Sequence, residues 1–152
     1  MNMMNILTED EFNTKPTSPS NSEIIFEGKV VDKSIDGTYL ELCIKRNNEY
    51  FIFMTDDIPD EDMLHIHLLD ESFNLIDSVT IGGIYSTGTF ENVSVQEPNH
   101  ISFNFIGTNT WSVEALDKKQ FCMPYLSSPK GSYRKNPFYQ YFKLHGNPLP
   151  EI

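Results

Sequence analysis

From Glu23 onward the apolar positions recur at every second residue, the period of a strand and not the 3.6 of a helix. The alternation is clearest from Thr38 to Lys45. Leu40, Leu42 and Ile44 fall on one side, and Tyr39, Glu41, Cys43 and Lys45 on the other. Asn47-Asn48 follows, and asparagine tolerates the positive φ that a two-residue hairpin turn demands. Glu49 to Thr55 then reads as the return strand. Phe51 and Phe53 occupy one of its faces, and Tyr50, Ile52 and Met54 the other. A strand apolar on both faces belongs in the middle of a sheet that is covered on both sides.

The same pattern predicts a strand over 23–31, ended by turn residues 32–37. A pair over 63–69 and 75–81 is joined across Asp70-Glu71-Ser72-Phe73-Asn74. A strand over 89–95 ends at Gln96-Glu97-Pro98-Asn99, and a last hairpin, 100–106 with 110–116, turns at Gly107-Thr108-Asn109. Trp111, Val113 and Ala115 share the core face of its second strand. About eight short strands with no long helix between them predict an all-β antiparallel sandwich or open barrel.

The ends read differently. Thr8-Glu9-Asp10-Glu11 has the capping-box pattern and predicts one helical turn over Glu9 to Asn13, stopped by Pro16. Lys15 to Ser22 is rich in Pro and Ser, so residues 1–22 read as a flexible N-terminal arm ahead of a β domain over 23–116. Residues 117–152 are interrupted by Pro124, Pro129, Pro137, Pro148 and Pro150, yet they carry Phe121, Tyr125, Tyr133, Phe138, Tyr139, Tyr141 and Phe142. So many aromatics do not suit a solvated tail. The segment is expected to pack on the β domain, with Phe138 to Leu144 as a further strand or a short helix.

Charge changes the picture more than composition does. Between Arg46 and Lys118 the chain runs 71 residues without a Lys or Arg, while the same stretch holds 13 Asp and Glu. Residues 1–117 carry a formal charge of −16 and the remainder +5, within a net charge of −11. Such segregation builds a one-sided field that steers oppositely charged partners. It argues against direct nucleic-acid binding by the main body, which needs Lys and Arg to neutralise phosphates, and against anionic membranes. Met1 to Asp10 has neither the positive nor the apolar region of a secretory signal. A cytosolic location, with Cys43 and Cys122 reduced, is therefore the expectation.

The candidate chemistry is sparse. His65-x-His67 points two imidazoles to one face of a strand, and zinc needs a third ligand, for which Asp70 and His100 are the available donors. The ordinary reading is two partly exposed strand histidines opposite Leu64, Ile66 and Leu68. Asp56-Asp57-Ile58-Pro59-Asp60-Glu61-Asp62 is the densest acidic cluster, but it lacks the ligand order of a calcium loop. Gly82 to Gly88 lacks the lysine and the following helix of a phosphate cradle. Cys122 beside Lys118 and Lys119 could act as a nucleophile with His100 or His145 as base, but nothing in the sequence fixes their distance. Tyr133 to Lys143 interleaves basic and aromatic residues, a composition that either stacks on single-stranded nucleic acid or straps the acidic body of its own chain.

No catalytic set, metal or cofactor is assigned. The expected function is a non-enzymatic, acidic protein-binding module: an inhibitor or antitoxin-like immunity protein that neutralises a basic partner such as a nuclease toxin. Asp56, Asp57, Asp60, Glu61 and Asp62, with Asp70 and Glu71, are its expected partner-binding residues. The alternative is a sandwich or barrel that binds a small ligand or carbohydrate in an aromatic cleft. A metal enzyme at His65 and His67 is the third reading.

Overall fold

The computed structural model describes residues 4–58, 62–82, 88–106, 110–121, 132–135 and 138–146. Of these, 77% are in strands and none is in a helix, so the chain is all-β, with three antiparallel sheets packed in a sandwich-like fold. The strands are β1 (Met4–Ile6), β2 (Phe12–Ser18), β3 (Asn21–Phe26), β4 (Lys29–Asp36), β5 (Tyr39–Arg46), β6 (Glu49–Thr55) and β7 (Met63–Leu69), followed by β8 (Leu75–Gly82), β9 (Gly88–Gln96), β10 (His100–Ile106), β11 (Thr110–Phe121), β12 (Ser132–Arg134) and β13 (Tyr139–His145). A six-stranded sheet has the order β1-β5-β6-β7-β8-β12, a four-stranded sheet β13-β11-β10-β9, and a three-stranded sheet β2-β3-β4. Among the described residues no helix is long and apolar enough to cross a membrane.

The six-stranded sheet is the middle layer, because its central strands are apolar on both faces. Phe51, Phe53, Leu64, Ile66, Leu68, Val79 and Ile81 meet Ile101, Phe103, Trp111, Val113 and Phe142 of the four-stranded sheet. On the opposite face Cys43, Tyr50, Ile52, Met54 and Leu69 meet Phe12, Ile24 and Ile35 of the three-stranded sheet. The split of β6 into Phe51/Phe53 and Tyr50/Ile52/Met54 is thus the split between the two cores. Asn47 has φ +56°, and Arg46 pairs with Glu49 around the two-residue turn.

The N-terminal residues differ from the expectation. Glu11 does reach back, its Oε1 accepting from Thr8 N at 3.0 Å, and Thr8 O accepts from Phe12 N at 2.9 Å. The turn goes no further, because Phe12 drops into the second core and starts β2. Pro16 is tolerated there because β2 is a sheet edge, where a missing N–H donor breaks no ladder. The region read as one strand and a turn is a hairpin of β3 and β4 about Glu27-Gly28, both at positive φ. Gly37 closes the return at φ +118°, where a Cβ would collide with Met54.

Strand β5 also departs from simple alternation. Leu40 faces Met54 and Leu42 faces Phe53, so Glu41 is the extra residue of a bulge. Leu40 consequently packs in the second core while Leu42 and Ile44 pack in the first, not all on one face. In the C-terminal segment, β12 pairs with β8 and β13 with β11. The glycine stretch from Gly83 to Thr87, the Gly107-Thr108-Asn109 turn, Cys122, Tyr125 and the five prolines from Pro124 to Pro150 lie outside the described residues. Cys43 is a buried free thiol, and burial pushes it well above its ordinary pKa.

Candidate functional site

The two sides of the sandwich between the six- and four-stranded sheets close differently. On one side Asp77 of β8 ties the layers together. It accepts from Arg134 Nη1 of β12 and, at 2.8 Å, from Tyr141 N of β13. Arg134 also donates to Phe142 O at 2.9 Å and lies 4.9 Å from the centre of the Phe142 ring. A guanidinium so enclosed is not free for a phosphate, which removes the central cation from the nucleic-acid reading of Tyr133 to Lys143; Asn136 and Pro137 of that stretch lie outside the described residues.

On the other side β9 is the last strand of its sheet, and β1 pairs with β5 only at residues 44–46. Between the start of β9 and the bulged start of β5 lies a hollow of ≈ 150 Å³. Phe90, Phe105 and Met63 supply apolar wall, and Glu41, Asp56 and Asp62 line the rest with Thr55, Gly88 and Thr89. The bulge places Glu41 there. Its carboxyl reaches solvent, but partial burial raises its pKa from the ordinary value. Asp62 Oδ2 accepts from Gly88 N at 3.1 Å, linking the entry of β7 to the start of β9. Its volume falls below the ~300–1,000 Å³ of a typical small-molecule pocket.

Asp56 faces inward. Its side chain is 3% exposed, and both oxygens lie 2.9 Å from His65 Nε2. Thr80 Oγ1 lies 2.9 Å from His65 Nδ1. His67 repeats the pattern with other partners: Nε2 donates to Asp36 O at 2.8 Å and Nδ1 accepts from Ser78 Oγ at 2.9 Å. The rings stack with centroids 5.9 Å apart. Burial first, then the neighbouring His65 and Lys135 charges, pull His67 down to about 4 against the hydrogen bond to Asp36, so it is neutral at pH 7. The expected partial exposure is therefore corrected: both histidines are buried, His67 against Asp36 of β4 and His65 against Asp56. All four ring nitrogens face protein groups, and among the described residues no group of three or more His, Cys, Asp or Glu could hold a metal.

The expected partner-binding residues do not form one patch. Asp57 and Asp62 are exposed near the start of β7, and Asp60 and Glu61 lie outside the described residues. Asp70 and Glu71 sit at the far end of β7, about 20 Å away for a strand of this length. Asp70 is occupied in the turn: it accepts from Ser72 N and Asn74 N at 2.9 Å, and the Asn74 backbone bond leads in holding its carboxyl below the ordinary value. Sequence reasoning missed Glu41, because strict alternation places it beside Cys43 and Lys45; only the bulge turns it to the hollow. Arg46, at the end of β5, is spent internally on Glu49 and Asp117 at 3.0 and 2.9 Å.

No protein-family model, curated protein or solved structure matches the chain.

Proposed function

We propose that this protein is an acidic protein-binding module that neutralises a basic partner, such as a nuclease toxin, as a cytosolic inhibitor or immunity protein does. The observation that carries the reading is how its charges are used. Arg46 and Arg134 are buried in ion pairs with the chain's own carboxylates, whereas Glu41, Asp57, Asp62, Glu71 and Glu91 reach solvent and, among the described residues, join no ion pair. A nuclease holds phosphates with Lys and Arg, so an inhibitor that presents carboxylates gains both a fast encounter and a cover for the substrate groove.

The test is affinity capture from the native host, with the wild-type chain and a variant carrying Glu41→Gln, Asp57→Asn, Asp62→Asn, Glu71→Gln and Glu91→Gln. The reading expects a basic protein retained by the wild type, released by salt and lost with the variant. Equal retention of one partner by both chains would contradict it.

A further inference from the structure

We propose that the hollow between β5, β7 and β9 is the docking point for a single lysine side chain of the basic partner. This rests on the function proposed above and adds which part of the acidic surface recognises which group.

The hollow has the two halves that a lysine presents. A lysine buries a stem of methylenes and leads with an ammonium. Phe90, Phe105 and Met63 supply apolar lining for the stem, and Glu41 and Asp62, with Asp56 behind them, supply negative charge for the head. The acceptor count also matches. An ammonium has three donors, and Glu41 and Asp62 keep free oxygens to accept from it. Glu41 has no hydrogen bond among the described residues and Asp62 uses only Oδ2, on Gly88 N, whereas Asp56 has both oxygens on His65 Nε2 and adds charge to the floor of the hollow. The ≈ 150 Å³ of space is the scale of one long side chain, not of a drug-sized ligand.

Position and charge select the occupant. The hollow lies beside β9, an edge strand with no further strand paired to it among the described residues. Glu41 precedes the 71-residue stretch without Lys or Arg, and the other lining residues fall within it, so among the described residues no cation of the chain itself lines the hollow. By contrast Asp57, Glu71 and Glu91 stand on open surface and offer a field but no walls. Arginine brings a flat, five-donor head that suits a coplanar, bidentate carboxylate better than a narrow, partly apolar hollow.

The probe is acetyl-tetralysine amide, titrated into the isotopically labelled chain at low salt and followed by amide chemical shifts. The ε-acetylated tetramer and tetra-arginine serve as controls. Saturable shifts centred on Met63, Gly88, Thr89 and Phe90, absent with the acetylated peptide and weaker with arginine, are the expected result. Glu41→Gln with Asp62→Asn should raise the Kd at least about tenfold, the effect of losing one charge-assisted hydrogen bond. The amide side chains can keep the Gly88 contact, and circular dichroism verifies the fold. Glu41→Lys, which fills the hollow from within, should abolish the response. Shifts spread evenly over Asp57, Glu71 and Glu91, an arginine peptide that binds as tightly, or a Kd unmoved by Glu41→Lys would each overturn the inference. If a basic partner from the host still binds both wild type and Glu41→Lys, the inference fails while the protein-binding reading stands.

Discussion

Replacing Asp77 with alanine should unfasten the closed side of the sandwich. The Asp77 side chain is 1% exposed and that of Arg134 5%, so neither charge has water to fall back on. The carboxylate serves Arg134 Nη1 and Tyr141 N through Oδ2, and Ser78 N through Oδ1, thereby joining β8, β12 and β13. Removing it leaves a buried guanidinium whose partners among the described residues are the Phe142 carbonyl and ring. Breaking a buried pair from one side costs about 3–5 kcal/mol. In a domain of this size each kcal/mol lowers Tm by roughly 2–4 °C, so a fall on the order of 10 °C is expected in thermal unfolding. Asp77→Leu with Arg134→Met, which removes both charges and keeps the volume, should recover most of the loss, because desolvation of the pair disappears with it. A single Asp77→Ala variant within about 1 kcal/mol of wild type by urea unfolding would refute the buried pair and with it the docking of β12.

Three further outcomes follow from the same packing. The folded pKa of His67, about 4, lies below its unfolded value of 6.5, so the unfolded chain binds more protons between those values and stability falls as pH drops through that window. The loss by pH 4 is about 3 kcal/mol, and urea titrations at several pH values should show a slope that His67→Gln flattens. Cys43, buried with its pKa pushed up, should resist alkylation in the native protein and react on unfolding, as peptide mapping would show. Phe12→Ala should cost about 3–5 kcal/mol in chemical denaturation, since Phe12 anchors the three-stranded sheet in its core.

How far the pattern of residues foretells the structure depends on where the information lies. Strand β6 was legible to the level of which face each side chain takes, because burial on both sides leaves a local record in the sequence. The two-residue turn at Asn47-Asn48 was legible because asparagine advertises positive φ. Glu27 adopts the same region at φ +51°, without the residue type that signals it, so the β3–β4 hairpin was read as one strand. Strand β2 was hidden by Pro16, which excludes a central strand but not an edge. The bulge at Glu41 and the cover over His65 and His67 are set by contacts between distant segments, and no local period encodes them. The acidic character of the site was legible. The inward turn of Asp56 and the separation of Asp70 from Asp62 became visible only once β7 had a direction.

The central claim is that unpaired surface carboxylates bring a basic protein to this chain. Its most direct measurement is the association rate with the host protein captured by the chain, followed by stopped-flow as ionic strength rises from about 10 to 150 mM, a range that shortens the screening length from roughly 30 to 8 Å. The account predicts an on-rate that falls steeply with salt, by about tenfold or more, and a variant neutralised at Glu41, Asp57, Asp62, Glu71 and Glu91 whose rate is slower and nearly flat. An on-rate indifferent to salt and equal in the two proteins would contradict it.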